Sequence, residues 1–194
     1  MPRRRCPSGF SLVELLIVIT VMGIVAALAL PSLGTGAQER LLGMAQVIAG
    51  DLAYARGLAV ANNSSYRFTF DVSNNRYTLA HSGVNAALNV LPPSPFHSSA
   101  DAPTQNVFDL SALPGLGEGA QLCAIGTAGA SPAPVTTLEF GPLGQTTATD
   151  PTVIWLAAGV GNAARYVTVS VNPVTGLATV GIFQGNGPPP AIVQ

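Results

Sequence analysis

Lysine is absent from this chain of 194 residues, and its eight basic residues are all arginine. Charged residues of either sign make up only 9% of it, against about a quarter in ordinary globular domains. So little charge excludes a disordered acidic or basic chain, and a nucleic-acid module that binds through net positive charge. Gly 21 and Pro 16 show no strict period, which excludes collagen and coiled-coil readings. Cysteine is nearly missing: Cys6 and Cys123 are the two. Arg3, Arg4 and Arg5 occupy the places where small apolar residues precede a lipidated cysteine, so Cys6 does not read as a lipid anchor. If Cys6 falls in a removed leader, Cys123 stands alone and reads as a buried structural thiol.

What is present is 48% hydrophobic, with Ser, Thr, Asn and Gly as polar filler, a composition that suits one extracytoplasmic β domain. The charges are placed unevenly. Arg3, Arg4 and Arg5 stand together before the one long apolar run; without residues 1–9, five arginines face nine acids, a net of −4. The run from Phe10 to Leu30 covers 21 residues and is interrupted by one carboxylate, Glu14. At 1.5 Å per residue it reaches about 31 Å, the hydrocarbon thickness of a bilayer. The arginines place the N-terminus in the cytoplasm by the positive-inside rule, with everything after Pro31 on the other side. A carboxylate in such a run is costly and calls for a partner. If the chain is cut between Gly9 and Phe10, the new Phe10 amine lies one helical turn from Glu14 on the same face. That intrachain pairing is strained at a fraying terminus, whereas a neighbouring subunit shifted by about one turn satisfies both groups.

Gly9-Phe10-Ser11-Leu12-Val13-Glu14-Leu15-Leu16 resembles the class III signal of type IV pilins and of the pseudopilins of type II secretion. The resemblance implies cleavage after Gly9 by a membrane prepilin peptidase, N-methylation of Phe10, and an assembly role for Glu14. A conventional signal peptide, with Ala27-Leu28-Ala29 as its cleavage site, accounts for the arginines and part of the run. It leaves Glu14 and the Gly9-Phe10 pair unexplained, as does a plain membrane anchor. Pro31 removes a helix hydrogen bond and either kinks a longer helix or ends the membrane segment.

Beyond it, Leu41, Ala45, Ile48, Leu52, Ala55 and Ala59 recur at steps of three and four. They predict an amphipathic helix over 37–62, packed on a sheet and stopped by Asn62-Asn63. Tyr66, Phe68 and Phe70 alternate with polar residues, and Val72-Ser73-Asn74-Asn75 supplies the turn to a second arm, Arg76–Leu79. Further strands are expected near Asn106–Leu110, Gln121–Ile125 and Val135–Phe140. A final meander is expected at Val153–Ala157, Tyr166–Val171 and Leu177–Phe183. Residues 81–106 read as a loop around PPSP, and 185–194 as an extended or disordered Pro/Gly tail.

The segments thus predict a leader (1–9), a transmembrane and assembly half-helix (10–33), an amphipathic half-helix (37–62), a β-rich head (63–184) and the tail. The fold class is α+β, a long N-terminal helix on a mostly antiparallel β head. This order is similar to that of the GspH/FimT family of type IV pilin-like proteins, and so are Ala55-Arg56 at the helix end, the Glu139-Phe140-Gly141-Pro142-Leu143-Gly144 turn and the terminal strand–turn–strand. DNA-binding members carry arginines just after the last turn glycine; here Gly176 is followed by Leu177-Ala178-Thr179. With a net of −4, that disfavours nucleic acid as a partner.

Catalytic signals are weak. His81 and His97 read as solvated loop residues without metal-ligand spacing; no serine lies in a G-x-S-x-G elbow; Asp71, Asp101, Asp109 and Asp150 read as turn caps. No enzyme activity, metal or cofactor is expected. The resemblance implies a structural subunit, a minor pseudopilin of a type II secretion system, with a type IV minor pilin as the alternative. A secreted β-domain protein behind a conventional signal is the reading from another class. The partners implied are the prepilin peptidase, other pilins or pseudopilins in a helical fibre, an inner-membrane assembly platform, and lipid before assembly. The implied location is the inner membrane, single-pass, with the head in the periplasm, and then the pseudopilus or pilus.

Overall fold

The computed structural model describes residues 11–29, 35–92, 102–117, 119–159 and 164–193. Contacts divide the chain into two compact units, 1–36 and 37–194. In the first, α1 runs Leu12–Ala29 and opens with the Leu15 N–H donating to Ser11 O at 3.1 Å. Its one hydroxyl, Thr20, turns back and donates to the carbonyl of Ile17 at 3.2 Å and to that of Leu16. A polar group in an apolar helix is thereby satisfied within the helix itself.

The next helix, α2, runs Thr35–Ala61, and its part in the second unit carries the apolar stripe. All six stripe residues predicted from spacing are buried, and Met44 joins them. Fully burying each of the larger ones contributes about 1.5–3 kcal/mol. Glycines recur along the same helix at 36, 43, 50 and 57, every seven residues; Gly50 and Gly57 face open space. Asn63 takes the left-handed conformation (φ 46°) and ends the helix where Asn62-Asn63 was expected to.

The strands form two four-stranded sheets, a partition the sequence left open. β1 (Tyr66–Asp71), β2 (Arg76–His81), β3 (Gln105–Asp109) and β5 (Thr137–Phe140) make the first, in order β3-β2-β1-β5. β4 (Ala120–Thr127), β6 (Thr152–Ala158), β7 (Arg165–Val171) and β8 (Ala178–Val180) make the second, in order β4-β6-β7-β8. Every strand pairing is antiparallel. The expected β1–β2 hairpin is present, with Phe68 opposite Leu79 and Phe70 opposite Tyr77.

Two devices join the sheets. Asn75, left-handed at φ 51°, accepts from Leu122 N at 2.7 Å through its side-chain oxygen and donates to Ser111 Oγ at 3.0 Å. The strand-like segment before β5 bonds both ways: Phe70 N donates to Thr136 O at 2.8 Å, and Val135 N to Ile125 O at 3.0 Å. The inner faces of both sheets then share one core with α2. Tyr66, Phe68, Tyr77 and Phe140 meet Ile154, Leu156, Val167 and Val169 around the helix stripe. A register shift between Leu122 and Ala124 bulges β4 at Cys123.

Two expectations need correction. The tail, expected to be extended or disordered, is extended only in part: residues 190–192 form a 3-10 turn, and Ile192 is buried. The 81–106 segment is not all loop, since Ala86–Leu88 form a 3-10 turn capped by Asn85, whose side chain accepts from Ala87 N at 3.1 Å. The PPSP stretch beyond Pro92 lies outside the described residues.

Candidate functional site

Three residues that the motif singles out, Gly9, Phe10 and Pro31, lie outside the described residues. Glu14 is described: it sits in the first turn of α1 and is exposed. A carboxylate there faces the helix's positive end, an arrangement favourable by about 0.3–1 kcal/mol. Around it Leu12, Val13, Leu15, Leu16, Ile17, Val18 and Ile19 are all at least half exposed, and so are Val21, Met22, Ile24 and Val25. Apolar surface wrapped around a whole helix is buried in something else, whether lipid or other helices. Among the described residues no helix is long and apolar enough to cross a membrane. The 18 residues of α1 give about 27 Å, short of the hydrocarbon layer. Phe10 and Leu30, the ends of the longer apolar run, are outside them.

In the head, the pieces of sequence that carried the finer resemblance meet at one joint. Arg56 Nε donates to Thr175 O at 2.7 Å, tying the helix end to the β7–β8 turn. Gly144, at the end of the Gly-Pro-Leu-Gly turn, has φ +82°, and a Cβ there would stand 3.1 Å from Arg56 Nε and Val60 Cγ2. Gly176 has φ +64°, and a Cβ would stand 1.9 Å from Gly144 O. Only glycine lets the two turn backbones lie this close. Thr146 N donates to Pro173 O at 2.8 Å and closes the joint. Leu177, just beyond it, is exposed and brings no charge to the surface.

Two polar contacts escaped the sequence reading. Tyr77 donates its hydroxyl to Asp51, fastening the middle of α2 to β2. Burial raises the Asp51 carboxyl from 3.8 to about 6, the Tyr77 hydrogen bond opposing it; burial and the neighbouring Asp51 push Tyr77 well above 10. His81 is not a solvated loop residue. It ends β2, packs edge-on against Tyr66 with ring centroids 5.1 Å apart, and bonds through both nitrogens, to Ser64 Oγ at 2.7 Å and Asn89 Oδ1 at 2.8 Å. Gly83 roofs that serine: a Cβ on it would lie 2.1 Å from Ser64 Oγ. The chain of bonds pins the α2–β1 corner to the loop after β2. His97 and Asp101 lie outside the described residues. Of the other aspartates, Asp71 caps its turn, accepting from Asn74 N at 3.1 Å, and Asp109 does so from Ser111 N at 2.8 Å. Among the described residues no three of His, Cys, Asp and Glu gather as metal ligands.

An exposed apolar helix led by a carboxylate, followed in the chain by an α+β head, is the build of the pilin-like class. Residues 4–30 match the prokaryotic N-terminal methylation motif. Residues 44–176 match the family described as type II transport protein GspH, and the chain belongs to that family. A comparison with curated protein sequences finds no match. Solved structures similar to this chain include the type IV minor pilin FimU of Pseudomonas aeruginosa, at 16% identity over 77% of this chain and 90% of that one, with a TM-score of 0.43. The minor pseudopilin EpsH from the type 2 secretion system of Vibrio cholerae is similar at 13% identity, over 73% and 95%, with a TM-score of 0.49.

Proposed function

We propose that this protein is a minor pseudopilin of a type II secretion system. In this reading a prepilin peptidase cuts between Gly9 and Phe10, Phe10 is N-methylated, and the apolar helix holds the subunit in the inner membrane with its head in the periplasm. The assembly platform then draws it into a fibre, where helices pack centrally and heads face outward. The observation that carries the reading is the co-occurrence, in one chain, of a methylation motif over 4–30 and a GspH head over 44–176. The exposed apolar surface of α1 supports it, because bundled helices replace lipid around the same side chains. Glu14 sets axial register by pairing with a Phe10 amine, and Pro31 gives the helix its bend at the membrane exit. No nucleic acid enters this account, since the exposed end of the β7–β8 turn carries Leu177.

Mass spectrometry of the protein from its native membrane tests the processing: the chain begins at N-methyl-Phe10. A chain beginning at Leu30, just after Ala27-Leu28-Ala29, would show a conventional signal peptide and overturn the reading. Glu14→Ala tests assembly. Removing one partner of a desolvated charge pair costs about 2–5 kcal/mol, so crosslinking to neighbouring pseudopilins falls while leader cleavage and head melting stay as they were. Recovery of the subunit in retractile surface pili, with secretion intact in its absence, would assign it to a type IV pilus instead.

A further inference from the structure

The second sheet has an outer face, turned away from α2, and its centre is apolar. Along β7, Tyr166 and Thr168 alternate with the core residues Val167 and Val169; along β6, Val153 and Trp155 alternate with Ile154. Register places Ala124 beside Trp155 and Gly126 beside Val153 on that face. Ala124 is nonetheless 2% exposed, and Ile192, from the chain end, is 2% exposed, though neither belongs to the core around α2.

The tail crosses this face strand by strand. Gln184 exchanges both backbone bonds with Tyr166, at 2.8 and 2.9 Å. Gly187 then lies on the Tyr166 ring, so close that a Cβ would stand 3.0 Å from Cζ. Pro189, at φ −54° and ψ 141°, is in the polyproline II region. It lines, with Trp155, Val153, Pro132 and Ile192, a cavity of about 260 Å³. Ile192 is seated on β4, with Cγ2 2.4 Å from where a Cβ of Gly126 would be. An extended proline segment laid across an aromatic pair, with one aliphatic knob in a slot, is a peptide-recognition geometry. Trp155 and Tyr166 form that pair, edge to face at 6.4 Å.

We propose that this face is a docking groove for an extended Pro-Pro-Pro-Ala-Ile segment, occupied in the isolated subunit by its own tail and open to the tail of a second copy. The attachment is one buried knob on a stiff arm, hinged at Gly185-Asn186-Gly187, a combination suited to exchange between identical chains. A tethered tail competes at an effective concentration of about millimolar, so exchange belongs to copies held side by side. The inference goes beyond the fibre reading and does not depend on it, since groove and tail both lie in the head.

Trp155 is the one tryptophan of the chain and reports on the groove. In the full-length protein in detergent micelles, Ile192→Ser frees the tail: Trp155 emission shifts to the red and its quenching by acrylamide rises severalfold, while the head still melts in one cooperative transition. A synthetic peptide of residues 185–194, added in trans, reverses both changes saturably; the same peptide with Ile192→Ser does not. A Pro188→Gly variant keeps Pro189 and Ile192, which line the cavity, yet softens the arm, and gives the same shift at smaller amplitude. Unchanged Trp155 emission in both variants would show that the tail does not cover the groove. A red shift that the peptide fails to reverse would show that the groove takes no second tail. Either result overturns the proposal, and neither bears on processing at Gly9 or on assembly through Glu14.

Discussion

Replacing Asp51 by Asn stabilises the head at neutral pH. The side chain, on the middle of α2, is mostly buried against β2 and accepts one hydrogen bond, from Tyr77, while desolvation raises its carboxyl from 3.8 to about 6. A native pKa above the unfolded one means that the folded protein holds the proton more tightly. The stabilisation from that proton is complete below about pH 3.8 and is lost as pH rises through about 6. At about 1.4 kcal/mol per pH unit, ionised Asp51 costs about 3 kcal/mol at most at pH 7. An asparagine oxygen still accepts from Tyr77 and carries no charge. The difference in unfolding free energy between Asp51→Asn and wild type therefore grows from near zero at pH 4 to about 2–3 kcal/mol in favour of the variant at pH 7, and is flat above. Urea titrations of both proteins in the same detergent, at pH 4 to 8, measure that difference, and other titrating groups cancel in it. A difference that does not vary with pH, or a variant less stable than wild type at pH 7, would refute the reasoning. In either case the Tyr77 bond, rather than desolvation, would dominate the energetics of Asp51.

Gly176→Ala, with φ +64° and a Cβ 1.9 Å from Gly144 O, destabilises the head by about 2–4 kcal/mol, seen as a melting temperature lower by about 5–15 °C. Gly144→Ala, whose Cβ meets only side-chain atoms that can move, costs about 1–2 kcal/mol; the reverse order of the two would disprove the account of the joint. Cys123 is half-buried and its thiol is pushed upward by burial. In a Cys6→Ser variant it therefore alkylates at pH 8 more slowly than in urea, and equal rates would contradict its burial.

The helix stripe was legible because a period of 3.6 is local. Leu41 to Ala59 needed no knowledge of what covers them, and all six are buried. The β1–β2 hairpin was legible for the same reason, as alternation around a turn of Asn and Ser. Sheet partition was not, because it depends on distant pairings: Thr137–Phe140 joins β1, some seventy residues earlier, and not the neighbouring β4. His81 looked solvated because its partners, Ser64 and Asn89, lie on either side of it in sequence at no motif spacing. The tail carried no period, and the slot for Ile192 exists only because residue 126 is glycine. At the proposed assembly site the order of evidence is reversed: Gly9, Phe10 and Glu14 were named from sequence alone.

The four glycines spaced along α2 also bear on timing. Each costs about 1 kcal/mol of helix propensity relative to alanine, so α2 on its own holds little helix. The side chains that cover its stripe, Ile154 and Leu156 on β6 and Val167 and Val169 on β7, come about a hundred residues later in the chain. A subunit emerging N-terminus first cannot complete its helix until nearly all of the head has followed. During that interval Leu41, Met44, Ile48 and Leu52 stand bare, and the protein depends on completing its synthesis faster than those side chains find another surface.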